Sequence, residues 1–99
     1  MNVWAVEKDM PLKLLLLELV QLYGENTLAL NSQEQHFQAI DICKPEDPKL
    51  SAYIFTFGQN AGHYGIDLSY PISAHNIVGE NEGLSLDQTI EIIAIHLFS

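Results

Sequence analysis

Two periods of hydrophobic patterning divide this chain. Near its start, Leu12, Leu15, Leu16, Leu19 and Tyr23 recur at spacings of three and four, the stripe of a helix that buries one face. The spacing predicts a helix over Pro11–Tyr23, with Pro11 in the tolerant first turn and Gly24 placed to end it. Leu14 and Leu17 widen the apolar stripe, so this helix is covered on more than one side or meets a partner. Before it, Met1–Val6 reads as an edge strand or as an arm that lays Trp4 on the body of the protein.

Beyond Gly24 the period drops to two. Residues 26–31 place Leu28 and Leu30 on one face of a first strand, and 32–35 form a polar turn. In a second strand over 36–43, Ile40 and Ile42 alternate with Ala39, Asp41 and Cys43. Residues 44–49, KPEDPK, read as a loop, since prolines and charges do not continue a ladder. The clearest pattern lies in Leu50–Pro71. Tyr53, Ile54, Phe55, Thr56 and Phe57 suit a pleated surface. Residues 58–62 supply a glycine-bearing loop, and Ile66, Leu68 and Tyr70 then alternate with Gly65, Asp67 and Ser69. This is a hairpin ended by Pro71, followed by a long connection over 72–83. The last segment, 86–98, is ambiguous by period, because TIEIIAI is rich in β-branched residues. Ser85 and Gln88 have capping-box spacing, which decides for a helix with Leu86, Ile90, Ile93 and Leu97 on its buried side.

Helix, four strands in sequence and helix predict an α+β two-layer sandwich: an antiparallel four-stranded sheet flanked by an N-terminal and a C-terminal helix. The 99 residues fit one domain over 1–99. At 47% apolar content the chain has enough hydrophobic surface for a core.

Charge alters the picture more than composition does. Thirteen acids face four lysines, no arginine occurs, and the net charge is −9. Lys8, Lys13, Lys44 and Lys49 all precede residue 50. A nucleic-acid binder neutralises phosphates with Lys and Arg, so the charge argues against DNA or RNA as a partner. It favours solubility and fast association with a basic protein instead. The leucine run 12–20 is interrupted by Glu18 and is far short of the ~20 apolar residues of a bilayer span. No membrane segment is therefore expected. The single Cys43 forms no internal disulfide, consistent with a cytoplasmic address.

Catalytic and metal chemistry find little support in the spacing. Histidines 36, 63, 75 and 96 lack the short spacings that zinc sites use. Cys43 sits in DICKP, outside the cysteine-hydrolase signatures. The 58–62 loop joins two strands and has no Lys or Ser/Thr where a phosphate loop needs one. The carboxylates are scattered rather than paired. No enzyme, cofactor or metal is expected.

Aromatic residues among acids, namely Trp4, Phe37, Tyr53, Tyr64 and Tyr70, have the composition of a recognition patch for a basic protein or of a sheet filled on both faces. Residues 57–71, FGQNAGHYGIDLSYP, resemble segments in small bacterial immunity proteins of contact-dependent and polymorphic toxin systems. The resemblance implies a mode of action, charge-steered capping of a basic toxin domain such as a nuclease, and assigns no residue a role. The expected function is thus a non-enzymatic acidic module, an immunity or inhibitor protein. Its expected partner contacts are Tyr64, Asp67 and Tyr70 on the hairpin with Glu80 and Glu82 on the long loop. The alternatives are a structural or chaperone-like homodimer paired through the leucine helix or an edge strand, and a small enzyme using His63 or His75 beside Asp67.

Overall fold

The computed structural model describes residues 2–31, 33–70 and 81–98. A helix α1 (Met10–Tyr23) precedes four strands, β1 (Ala29–Leu30), β2 (Ala39–Lys44), β3 (Asp47–Phe55) and β4 (Gly65–Ser69), and helix α2 (Leu86–Phe98) closes the chain. The strands form one antiparallel sheet in the order β1-β2-β3-β4. This is the α+β architecture that the patterning predicts, a meander with a helix from each end of the chain.

Register sorts the side chains. Across the sheet, Ile40 pairs with Ile54 and Ile54 with Ile66; Ile42 pairs with Ala52 and Ala52 with Leu68. These six residues are buried with Leu12, Leu15, Leu16 and Leu19 of α1 and Ile93 and Leu97 of α2 in one core. Both helices therefore cover the same face. Tyr23 and Phe98 stack at the far ends of the two helices, ring centroids 4.0 Å apart.

Asp9 starts α1 as its N-cap, its Oδ1 accepting from Leu12 N at 3.3 Å. Its Oδ2 accepts from the Thr56 hydroxyl, and its N–H donates to the Phe37 carbonyl, so one residue caps the helix and ties it to the end of β3. Gly24 ends the helix at φ 97°, donating to Val20 O at 2.8 Å, a backbone conformation that suits glycine. At α2 the capping box forms reciprocally: Gln88 N donates to Ser85 Oγ at 3.1 Å and Ser85 N to Gln88 Oε1 at 2.9 Å. The Thr89 hydroxyl, wholly buried, donates to Ser85 O at 2.8 Å. Ser85→Ala removes the acceptor for Gln88 N and is expected to lower stability by about 1 kcal/mol, as read by urea unfolding; an unchanged midpoint would mean that the β-branched stretch needs no cap.

Four boundaries differ from the sequence reading, each for a local reason. Val3–Ala5 is a single 3-10 turn that buries Val3, while Trp4 is 62% exposed rather than laid on the body. The first strand is shorter than 26–31: Thr27 Oγ1 bonds back to Gly24 O, and the Asn31 side chain takes the N–H of Gln33, bending the chain at both ends. The second begins at Ala39 rather than residue 36, because His36 Nδ1 accepts from Gln38 N and closes a turn. The KPEDPK stretch is mostly strand. Lys44 pairs with Asp47 and Cys43 with Ser51, so 48–50 bulge without partners on β2, and Pro48 sits where no ladder N–H is required. Pro71 and residues 72–80 of the long connection lie outside the described residues.

Candidate protein-binding face

With both helices on one side, alternation sends the other half of each strand to the opposite face. The cross-strand rows there are Ala39–Phe55–Gly65, Asp41–Tyr53–Asp67 and Cys43–Ser51–Ser69. Neither helix contributes to this outer face. Asp67 is exposed on it, and Asp41 and Tyr53 are partly so.

Aromatic rings run along β3. Tyr53 and Phe55 are 6.0 Å apart, Phe55 and Phe57 stack at 4.7 Å, and His36 meets Phe57 at 5.0 Å. The Phe55 ring lies directly on Gly65, where an added Cβ would come within 2.1 Å of the ring. Glycine is required there because the ring occupies a side chain's place, and Phe55 is buried to 8% exposure.

Carboxylates flank this ladder. Asp41 and Asp67 are the cross-strand neighbours of Tyr53 on either side, roughly 10 Å apart across two strand spacings. Each is oriented by an amide: Asn31 Nδ2 donates to Asp41 Oδ2 at 3.2 Å, and Asn81 Nδ2 to Asp67 Oδ1 at 3.1 Å. Burial, then Glu34, Asp67 and Asp41, push the Tyr53 phenol above its usual range, so Tyr53 faces solvent as a neutral ring in an acidic field.

Beside Asp41 the outer face dips into a cavity of about 420 Å³, lined by Asn31, Asp41, Cys43, Pro45, Pro48 and Ser51 among others. Burial, then Asp41, Asp47 and Glu46, raise the Cys43 thiol. A buried thiol held protonated is a poor nucleophile.

The residues expected as contacts separate. Tyr64 is not a contact: it is 2% exposed, and its hydroxyl donates to Pro11 O at 2.7 Å inside the clasp between α1 and the sheet. Its parity with Ile66 and Leu68 sends it to the helix side. Asp67 lies on the outer face, as described. Tyr70 is 43% exposed and stands edge-on to His96, centroids 4.8 Å apart. His96 Nε2–H is itself shared by the carbonyls of Ser51 and Ser69 at 2.9 and 3.1 Å, which places Tyr70 at the α2 end of the sheet rather than in the aromatic ladder. Glu82 is exposed on the segment that returns beside β4, where Ile66 N donates to Asn81 O, and its carboxylate accepts from Gln59 Nε2 at 3.0 Å. Glu80 lies outside the described residues, as does His75. His63 bonds Ala61 O and Asn60 O within its own loop, and among the described residues these bonds do not draw it toward Asp67.

Asp41 and Asn31 were missed as contacts by sequence reasoning, which named Tyr53 only among the aromatics of a patch. The alternation in 36–43 already set Asp41 opposite Ile40 and Ile42, but the register that puts Tyr53 between two carboxylates has no signature in a single strand. Among the described residues, no helix is long and apolar enough to cross a membrane. Compared with known family models, curated proteins and solved structures, the chain matches none.

Proposed function

We propose that this chain is a non-enzymatic binding protein of the inhibitor or immunity kind, a cytoplasmic module that captures a basic protein on the outer face of its sheet. The observation that carries the reading is the Asp41–Tyr53–Asp67 row on the face that neither helix covers. A partly exposed aromatic ring between two carboxylates is chemistry for a cationic side chain, which gains attraction to the ring face and to both charges. The net charge of −9 steers a basic partner inward, and Phe57, 37% exposed, extends the apolar contact along β3. Partners that dock here block their own basic surface, which is inhibition by occlusion.

The test is a salt-graded pull-down of the native partner, followed by kinetics with variants of the row. Tyr53→Ala is expected to weaken binding by about tenfold, or ~1.4 kcal/mol. Asp67→Asn is expected to slow association and flatten its salt dependence. Kinetics unchanged in both variants would overturn the assignment of this face.

A homodimer is the second reading, favoured by Leu14 and Leu22 of α1 and Ile95 of α2, which are 46%, 57% and 64% exposed. Sedimentation of the free chain at micromolar concentration separates the two: a stable dimer in the absence of any basic partner supports pairing through the helices.

A further inference from the structure

We propose that the cavity beside Asp41 seats an arginine side chain of the basic partner, a specificity pocket within the binding face. This rests on the reading above and adds to it the identity of the anchoring residue.

Volume is the first consideration. At about 420 Å³ the cavity is at the small end of ligand sites, which run from roughly 300 to 1,000 Å³, and it opens on the outer face next to Tyr53's row. Its lining is rich in acceptors: the Asp41 carboxylate, the side-chain oxygens of Asn31 and Gln33, and the Ser51 hydroxyl. Among the described residues, no lysine or histidine lines it. At the nearby turn, Lys44 pairs with Glu46 at 3.8 Å, and Lys8 is held by the carbonyls of Glu34 and His36. Lys49, exposed on the β3 bulge, is the remaining cation on this part of the sheet.

An unfilled acceptor points to the ligand. Asp41 Oδ2 takes the Asn31 amide, but Oδ1 is buried and has no hydrogen-bond partner among the described residues. A buried acceptor without a donor costs free energy. Asp41 lines the cavity and its terminal torsion is broad, so a small turn that stops short of exchanging the two oxygens lets a donor entering there reach Oδ1. The field is independently negative, since Asp41, Asp47 and Glu46 all act on Cys43, which lines the same wall.

The chemistry selects guanidinium over ammonium. A planar fork presents several donors at once to a carboxylate, a hydroxyl and an amide oxygen, and it sheds its hydration more easily than a compact ammonium does. Pro45 and Pro48 supply apolar walls for the arginine stem. A neutral ligand would leave the carboxylate uncompensated.

The experiment titrates the amide-labelled protein with Nα-acetyl-arginine amide, the capped lysine and citrulline analogues, and an oligolysine peptide, following backbone NMR shifts. The arginine amide is expected to give saturable shifts centred on Asn31, Asp41, Cys43 and Ser51. The lysine analogue should bind several-fold more weakly, the citrulline analogue at least ~tenfold more weakly, about the worth of one charge-assisted contact. Asp41→Asn should abolish the effect. Ser51→Leu, which fills the cavity and leaves every charge in place, should abolish it too, with shifts elsewhere showing the fold intact. Arginine shifts that are diffuse, equal for citrulline or unaffected by both variants would overturn the pocket. If oligolysine still binds at Tyr53 and Asp67 in that case, the binding face stands and only the pocket fails. If neither probe binds, both fail.

Discussion

Ile54→Ala is expected to cost about 3–4 kcal/mol, a large share of the roughly 5–15 kcal/mol that stabilises a domain of this size. Ile54 is wholly buried on β3, a central strand, paired with Ile40 on one side and Ile66 on the other. That row supports the core beneath the helices, whose Leu12, Leu15, Leu16, Leu19, Ile93 and Leu97 are at most 1% exposed. Truncation to alanine removes the transfer free energy of the lost carbons and leaves a cavity that a strand held on both edges closes poorly. Ile54→Val, which deletes a single methyl, should cost about 1 kcal/mol. Urea unfolding of the three proteins measures the series. Asp67→Asn, one row along on the opposite face, should stay within about 0.5 kcal/mol of the parent. A cost below about 1 kcal/mol for Ile54→Ala would mean that the helices do not close on this row.

The contrast between Ile54 and Asp67 describes how the molecule divides its labour. The buried core lies on the helix side of the sheet, while the aromatic and acidic side chains of the other face form the surface proposed for recognition. Phe55 is the exception on that outer face, because it is packed onto Gly65 beside the more accessible rings of Tyr53 and Phe57.

Much of this was legible in the sequence, and the physical reasons for the rest are specific. Helix α1 and its Gly24 cap follow from leucine spacing, and the Ser85–Gln88 box correctly outweighed the β-branched run of α2. Those signals are local, so a sequence displays them. Strand ends were less legible because side chains bonding to nearby backbone, from Thr27, Asn31 and His36, redirect the chain without changing its hydrophobic pattern. The KPEDPK stretch misled because proline forbids a ladder bond only where one is needed, and a bulge removes that need. For the candidate site, Asp67 was legible as the polar residue between Ile66 and Leu68. The same alternation should have withdrawn Tyr64, which shares their parity. The row Asp41–Tyr53–Asp67 joins three strands, and nothing local encodes which residues face each other across them.

Tyr64 supplies a test of its burial that depends on pH. Its phenol is pushed up to about 12, by burial first and then by the Asp9 carboxylate, against about 10 in an unfolded chain. The folded-state value is the raised one, so the contribution to stability is fully present below pH ~10. It is lost as pH rises through the folded value of about 12, because the unfolded chain releases its proton first. The loss runs at about 1.4 kcal/mol per pH unit and totals roughly 2–3 kcal/mol. Tyr53 and Cys43 are raised as well and steepen the decline in any variant that retains them, so the informative quantity is the difference from Tyr64→Phe. That variant loses only the hydrogen bond to Pro11 O, about 1 kcal/mol at neutral pH, and it has no phenol to ionise. Its stability is therefore expected to start below that of the parent and to overtake it near pH ~11, a crossing that urea unfolding across the alkaline range would reveal. Parallel curves would show that the Tyr64 hydroxyl ionises as easily in the folded protein as in the unfolded chain, and would return Tyr64 to the accessible surface where a partner could reach it.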